Sequence, residues 1–208
     1  LDDPVSLFVP EWKGEGKEKV RLRHLLTHTS GLPAWKDLHS RGQGPAEVIA
    51  EICSMPLEYR TGEHVVYSCL GFILLGEIIQ RVRGQRLDEF LAEEVFEPLA
   101  MPDTMYCPPA SLRPRIAATE IKPDRSGVLV GEVHDENARA MQGVSGNAGL
   151  FSTARDAGRF CRMYLQGGTL EGVRILSPAV IKAAVRSYTA GLEEERGLGW
   201  LLRGDGRF

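Results

Sequence analysis

The strongest constraint on the fold is one stretch of apolar residues with helical spacing. From Leu70 to Val82 the apolar side chains recur at i, i+3, i+4 and i+7, which places them on one face of an α-helix. Gly84 follows, and glycine at this position readily adopts the left-handed backbone that ends a helix. The sequence therefore predicts one long amphipathic helix with a buried face.

Two further helices have recognisable first turns. Thr153, with Asp156 three positions later, resembles a capping box, and an apolar face follows it as far as Gly167. Ser177 supplies a capping side chain, and Pro178 is a residue that the first helical position tolerates. Shorter helices are predicted over residues 23–29, 46–54 and 87–96.

Strand signals are few and short. Residues 118–121 and 128–133 flank a turn-like segment that contains proline, aspartate and glycine, and they predict a hairpin. Residues 197–202 resemble a strand without a partner of comparable length in the chain. We therefore expect its partner to lie outside the chain, and its exposed apolar edge to favour self-association.

Charge and composition exclude two classes of function. The chain has 25 Lys and Arg against 28 Asp and Glu, a net charge of −3, and no basic block typical of a nucleic-acid-binding protein. No apolar run approaches the roughly 20 residues of a membrane-spanning helix. The four cysteines form no C-x-x-C, which predicts neither a zinc ribbon nor a dense disulfide framework. The compartment stays open between cytoplasm and periplasm, because a signal peptide would lie upstream of residue 1.

Several short motifs favour a structural role. His24 and His28 have the i, i+4 spacing of two metal ligands, but no third ligand is evident. His134 and Asp135 are adjacent, and neighbouring side chains of an extended segment point to opposite faces, which does not suit a catalytic triad. Residues 143–147 lack the last glycine of the nucleophile elbow G-x-S-x-G. No metal or cofactor is predicted.

Four motifs occur in an order and at a spacing typical of one enzyme superfamily. They are RHLLTHTSGLP at residues 23–33, YSCLGF at residues 67–72 with Gly62 before it, FEPL at residues 96–99 with Met101, and NAGLFSTA at residues 147–154 with Asp156. Together they resemble the serine β-lactamase and penicillin-binding-protein-like superfamily. Class C β-lactamases, with their esterase and peptidase relatives, are the most similar branch, and the resemblance covers nearly the whole chain.

The resemblance implies a β-lactamase/transpeptidase-like α+β fold with the active site between an antiparallel-sheet domain and a helical domain. This chain would be mostly α with minor β, and chiefly the helical domain. Residues 1–30 would form the edge of the α/β domain, residues 31–190 the helical domain, and residues 191–208 the start of the return to the sheet. The chain would then be an incomplete segment of the full fold.

The chemistry that the resemblance implies is acyl transfer through the serine of an S-x-x-K motif. The lysine of that motif and the tyrosine of a Y-x-N motif handle the protons. No serine of this chain has a lysine three positions later, and neither Lys-Thr-Gly nor His-Thr-Gly occurs. Both motifs would lie beyond the two ends, so we expect the 208 residues alone to be inactive.

Three residues match site positions of the superfamily. Tyr67 matches the tyrosine base. A phenol with a pKa near ~10 should stay protonated, however, unless nearby cations favour the phenolate. The alternative is that Tyr67 is a structural tyrosine that packs before the helix. Cys69 stands in place of the asparagine of Y-x-N and lacks an amide's donors and acceptor. Asn147 replaces the histidine of the Gly-His-Ala-Gly that related sequences commonly have, and it is either a substrate-site residue or a left-handed turn residue. Tyr67 is thus the predicted catalytic residue, and Cys69 and Asn147 are the predicted substrate-binding residues.

Two functions are consistent with these observations. The first is a serine hydrolase that cleaves a β-lactam, an ester or a peptide through an acyl-enzyme, with a small-molecule substrate and no cofactor. The second is a non-catalytic helical binding module, or pseudoenzyme, of the same fold. Tyr67 favours the first and Cys69 favours the second, while the substrate class stays open.

Overall fold

The structure is a computed structural model that describes residues 1–40, 44–121 and 127–203, without the side chain of residue 203. Its helices are α1 (Leu22–Leu26), α2 (Pro45–Ser54), α3 (Cys69–Arg83), α4 (Leu87–Leu91), α5 (Glu136–Ala140), α6 (Ala154–Leu165) and α7 (Pro178–Ala184). A π-helical turn over Ala92–Phe96 continues α4, and short 3₁₀ helices cover Val5–Leu7, Lys17–Lys19 and Ala110–Arg115. The predicted helices are therefore all present, with shifts of a few residues at their ends.

The strands form short antiparallel pairs. They are β1 (Met105–Tyr106), β2 (Glu120–Ile121), β3 (Val128–Leu129), β4 (Leu150–Phe151), β5 (Thr169–Leu170), β6 (Val173–Arg174), β7 (Glu195–Arg196) and β8 (Leu201–Arg203). β1 pairs with β4, β2 with β3, β5 with β6 and β7 with β8. The predicted hairpin is confirmed as β2–β3, with residues 122–126 of its turn outside the described residues. A mostly α chain with minor β is confirmed.

The central helix α3 has the boundaries that its sequence predicts. The hydroxyl of Ser68 accepts a hydrogen bond from the backbone N–H of Gly71, and Gly84 ends the helix with a left-handed backbone at φ 65°. Its apolar face packs against α1, α2 and the first 20 residues in the larger of two cores. The large side chains of that core are Val5, Val9, Trp12, Val20, Leu25, Leu32, Leu38, Val48, Ile49, Ile52, Leu70, Ile73, Leu74 and Ile78.

Only half of the predicted capping box at α6 is present. The hydroxyl of Thr153 accepts from the N–H of Asp156 at 3.2 Å, as predicted. The carboxylate of Asp156 does not return the bond; it accepts instead from the N–H of Asp103 at 2.8 Å and the hydroxyl of Thr104 at 3.1 Å. Asp156 therefore fixes α6 to the segment before β1, beside a second core. That core contains Phe96, Leu99, Met101, Met163 and Leu170.

The prediction of a lone strand over residues 197–202 is wrong. β8 pairs with β7, with Arg196 opposite Leu201, and the N–H of Gly197 donates to the carbonyl of Trp200 at 2.8 Å to close the turn. The Trp200 ring packs against Tyr164, with 4.9 Å between ring centroids, and Leu202 is 38% exposed. The strand therefore has its partner in the same chain. Self-association through this edge stays a prediction.

A close backbone contact joins α3 to the loop that precedes β4. A methyl group added at Gly146 would clash with the carbonyl oxygen of Phe72, and one added at Gly76 would lie 2.9 Å from the N–H nitrogen of Gly146. Neither position has room for a side chain. The loop is therefore held against the first turns of α3.

We expect Gly146→Ala to destabilise the chain and Gly158→Ala to stabilise it. The first substitution forces the loop away from α3, an overpacking that costs about 1–3 kcal/mol. The second replaces a glycine inside α6 with open space around it, a change that stabilises a helix by about 0.5–1 kcal/mol. Urea unfolding of both variants measures the two effects. Equal effects of the same sign would contradict the close contact between the loop and α3.

Candidate active site

The segment before α3 is bound to residues 28–34 by hydrogen bonds that its backbone N–H groups and one side-chain hydroxyl donate. The N–H of Ser68 donates to Nδ1 of His28 at 3.0 Å, and the Ser68 hydroxyl donates to the carbonyl of Pro33 at 2.6 Å. The N–H of Cys69 donates to the carbonyl of Ala34 at 3.1 Å. The residues on either side of Ser68, Tyr67 and Cys69, are therefore held in a fixed position at the start of α3.

His28 is buried behind this segment as a neutral imidazole. It has a left-handed backbone at φ 58°, which is why α1 ends earlier than the predicted helix over 23–29. Its ring packs against Tyr67 at 4.6 Å and Phe72 at 5.0 Å between centroids. Burial, and next the charge of Arg196, lower the pKa of His28 to about 4. At neutral pH Nδ1 is therefore free to accept the hydrogen bond from Ser68, and Nε2 carries the proton.

The three residues predicted from the sequence come together in the structure. The Cys69 thiol interacts with the phenol of Tyr67 and with the amide of Asn147, which arrives from the loop before β4. Tyr67 is 57% exposed, so more than half of the residue is open to solvent. Burial raises the pKa of the Cys69 thiol, which makes it a protonated and weak nucleophile at neutral pH.

Tyr67 is a protonated phenol in this environment. Burial of part of the ring, and then Cys69, raise the pKa of Tyr67, while the charge of Arg196 opposes them. The guanidinium of Arg196 lies 5.8 Å from the Tyr67 ring centroid and is bound to Oε2 of Glu194 by Nε at 2.8 Å and Nη2 at 2.5 Å. Sequence reasoning missed Arg196, because a lone arginine before an apolar run gives no signal. The fold of β7 brings it to the site.

Asn147 does not adopt a left-handed backbone, so its interpretation as a left-handed turn residue is wrong. The residue of this loop that has a positive φ is Gly149, two positions later, at φ 114°. The Oδ1 atom of Asn147 accepts from the Ser145 hydroxyl at 2.7 Å, and the Tyr106 hydroxyl fixes the loop by donating to the Ser145 carbonyl at 3.0 Å. The Nδ2 atom of Asn147 is buried, and the amide interacts with the Cys69 thiol. Asn147 also lines a cavity of about 680 Å³. Other residues around this cavity are Leu112, Ile116, His134 and Phe151.

The other candidate motifs have structural partners. Nδ1 of His24 accepts from the N–H of Arg21 at 3.1 Å, and Asp135 caps α5 by accepting from the N–H of Ala138 at 2.7 Å. Among residues 1–40, 44–121 and 127–203, no group of three or more His, Cys, Asp and Glu is arranged to hold a metal ion. No helix within these ranges has the length and apolar character needed to cross a membrane.

The buried His28 should make the stability of the chain depend on pH. Its pKa is about 4 in the folded chain against 6.5 as the ordinary value, so the unfolded chain binds the proton first as the pH falls. Stability is therefore lost between pH 6.5 and 4, by up to about 3 kcal/mol for this one group. His24, whose pKa burial also lowers to about 4, adds a further loss over the same range.

We expect His28→Asn to flatten this dependence. Asparagine tolerates the left-handed backbone and offers an acceptor to Ser68, but it does not titrate. Urea unfolding at about pH 7 and about pH 5 should show a smaller loss of stability in His28→Asn than in the unsubstituted chain. The matched control is the same replacement at the exposed His134, His134→Asn. An equal loss in both variants would contradict the buried, neutral state of His28.

Comparison with known proteins agrees with the resemblance that the motifs indicate. The sequence model of the family described as Beta-lactamase matches residues 1–207. A protein of Escherichia coli (strain K12) is named "Putative D-alanyl-D-alanine carboxypeptidase" and is 31% identical over an alignment of 233 positions. The alignment covers 98% of this chain and 53% of that protein. A protein of the same name from Salmonella agona (strain SL483) is 30% identical, covering 99% of this chain and 53% of its own length. The chain thus spans about half the length of the curated relatives it matches.

Solved structures support the same fold. A penicillin-binding protein homologue from Caulobacter crescentus has a TM-score of 0.74 at 23% identity, with 96% of this chain and 59% of that chain covered. A family VIII carboxylesterase has a TM-score of 0.75 at 23% identity, with 98% of this chain and 60% of that chain covered. The resemblance stated from the sequence is confirmed. The chain belongs to the β-lactamase family of serine hydrolases.

Proposed function

We propose that this chain forms the part of a serine hydrolase active site that contains the catalytic tyrosine. The enzyme would cleave its substrate through an acyl-serine intermediate. The observation that carries the proposal is the convergence of Tyr67, Cys69 and Asn147 from two separate segments, which the close backbone contact of Gly146 with α3 holds together. Membership of the family supports the reaction type. The nucleophilic serine and its lysine belong, in this proposal, to a part of the protein outside the 208 residues.

In this mechanism Tyr67 transfers protons. Its phenolate oxygen accepts the proton of the attacking serine and returns it to the leaving group as the acyl-enzyme forms. The raised pKa of Tyr67 opposes this role, so a cation must lie near the phenol before it works at neutral pH. Arg196 contributes one positive charge beside the ring, and the lysines of the two remaining family motifs would contribute the rest.

The first substrates to examine are peptides that end in D-alanine. The curated relatives carry the name of a D-alanyl-D-alanine carboxypeptidase, and a structural neighbour is a carboxylesterase. Both names describe transfer of an acyl group to water, the chemistry that an acyl-serine performs. Esters and β-lactams are the comparison substrates, because their carbonyl groups react by the same route.

We expect Tyr67→Phe in the full-length protein to lower the acylation rate by ~10²- to 10⁴-fold, the contribution of a general base. The substitution keeps the ring that packs against His28, so the thermal unfolding midpoint should change little. Rates are measured with a D-alanyl-D-alanine peptide, an activated acetate ester and a chromogenic cephalosporin.

Tyr164→Phe is the matched control, because the Tyr164 ring packs in α6 against Phe160 and Trp200, away from the site. Tyr59 and Tyr106 are less suitable, since their hydroxyls donate to the carbonyls of His28 and Ser145. Equal kinetic effects of Tyr67→Phe and Tyr164→Phe would show that Tyr67 is not the base. A well-folded full-length protein that turns over none of the three substrates would support the non-catalytic module instead.

A further inference from the structure

We propose that Arg196 is a positioning residue of the candidate site, whose guanidinium holds the ring of Tyr67 in place and favours the phenolate during the reaction. The inference rests on the proposed function and adds to it the pair of charges, Arg196 and Glu194, that sets the pH range in which Tyr67 works. Neither Arg196 nor Glu194 lies in the four motifs that carry the family resemblance.

Arg196 carries a buried positive charge. Its side chain is 9% exposed, and it is paired with Glu194, whose side chain is 28% exposed. Oε2 of Glu194 accepts from Nε at 2.8 Å and from Nη2 at 2.5 Å, so both bonds lie on one edge of the planar guanidinium. Replacing a buried ion pair with apolar side chains of similar volume is often neutral for stability. Stability alone therefore does not account for a charge beside Tyr67.

The turn that carries both charges is closed by hydrogen bonds of its own. The hydroxyl of Thr189 accepts from the N–H of Arg196 at 2.7 Å and donates to the carbonyl of Glu194 at 2.6 Å. The N–H of Tyr188 donates to the carbonyl of Arg196 at 2.9 Å. Thr189 is buried, which shields its two bonds from water. Arg196 and Glu194 are therefore held at fixed positions in the turn.

The same turn is bound to the residues that precede Tyr67. Oε2 of Glu193 accepts from the N–H of Val65 at 2.9 Å, and Oε1 of Glu193 lies 2.7 Å from Nδ1 of His64. These bonds join two segments that are distant in sequence. The position of Arg196 relative to Tyr67 is thus set by contacts of the two segments, and not by attraction between the cation and the ring alone.

The Tyr67 ring contacts a neutral group and a charged one. The His28 ring lies 4.6 Å away between centroids, and the guanidinium carbon of Arg196 lies 5.8 Å from the Tyr67 ring centroid. A cation at this distance is attracted to the electrons of the ring, and its charge favours phenolate over phenol. Burial first and Cys69 second raise the pKa of Tyr67, Arg196 lowers it, and Asp135 raises it further. Arg196 is therefore the cation that opposes these other influences.

Arg196 and Glu194 should have opposite effects on the phenol. Loss of the Arg196 charge removes a group that favours the phenolate, so a smaller fraction of Tyr67 is ionised at neutral pH and the rate falls. Loss of the Glu194 charge leaves the Arg196 charge unbalanced, so the ionised fraction and the rate rise. A purely structural pair would give a loss in both cases, because either substitution breaks the same ion pair.

The test is the pH profile of kcat/KM for an activated acetate ester in the full-length protein, because this profile reports the ionisation of groups in the free enzyme. Arg196→Gln should move the acid limb to higher pH by about 0.5–1 pH units, which lowers kcat/KM at about pH 7 by roughly 3- to 10-fold. The difference should vanish at high pH, where Tyr67 is ionised in both proteins. Glu194→Gln should move the limb to lower pH. Arg196→Lys keeps a positive charge and should recover most of the lost activity.

Arg186→Gln is the matched control. The Arg186 guanidinium lies 4.7 Å from the ring centroid of Tyr188, the same kind of contact with a tyrosine outside the candidate site, so the pH profile should not change. Thermal unfolding of each variant identifies any that do not fold. The Glu194 side chain is partly exposed, so Glu194→Gln carries the test if Arg196→Gln does not fold.

A loss of kcat/KM in Arg196→Gln that is equal at every pH would overturn the inference, and so would a shift of the acid limb to higher pH in Glu194→Gln. An NMR titration of isotope-labelled tyrosine separates this failure from failure of the proposed function, with Tyr67→Phe identifying the Tyr67 signal. If the full-length protein hydrolyses none of the three substrates, the proposed function fails. A Tyr67 titration that moves up in Arg196→Gln and down in Glu194→Gln would then still support the inference, and unchanged titrations would contradict it.

Discussion

The candidate site depends on the hydrogen bonds that tie the residues before α3 to residues 28–34. The neutral imidazole of His28 accepts from the N–H of Ser68, and the Ala34 carbonyl accepts from the N–H of Cys69. Those bonds place Tyr67 on the surface and Cys69 in the first turn of a helix whose opposite face is fully in the core. Protonation of His28 would remove the acceptor, so burial of the ring and the position of Tyr67 are physically linked.

The second requirement is the contact between α3 and the loop before β4. Because Gly146 and Gly76 have no side chains, the two backbones approach closely enough for Asn147 to reach Cys69. Arg196 joins the same place through the β7–β8 pair and adds a positive charge beside Tyr67. The site is thus assembled from three segments that are distant in sequence. Each is held by its own hydrogen bonds.

Much of the helical structure could be predicted from the sequence, because its signals are local. The periodicity of α3, its glycine at the end and the capping hydroxyls of α6 and α7 each act within a few residues. The β7–β8 pair could not be predicted, because β7 consists of only Glu195 and Arg196. Two charged residues show no alternation of apolar and polar side chains, which is the sequence signal of a strand. The same limit applies to Asp156, whose carboxylate binds Asp103 and Thr104 across the fold. Among the residues of the candidate site, Tyr67, Cys69 and Asn147 could be predicted through the family motifs, whereas the position of Arg196 depends on tertiary contact alone.

We propose above that the chain contributes to an active site that forms an acyl-serine. The most direct measurement is mass spectrometry of the full-length protein after incubation with a β-lactam, followed by proteolysis to locate the covalent adduct. We expect one adduct of the mass of the β-lactam, on a serine that lies outside these 208 residues and is followed three positions later by lysine. An adduct on Cys69 would contradict it, and so would the absence of any adduct from a folded protein that hydrolyses the peptide.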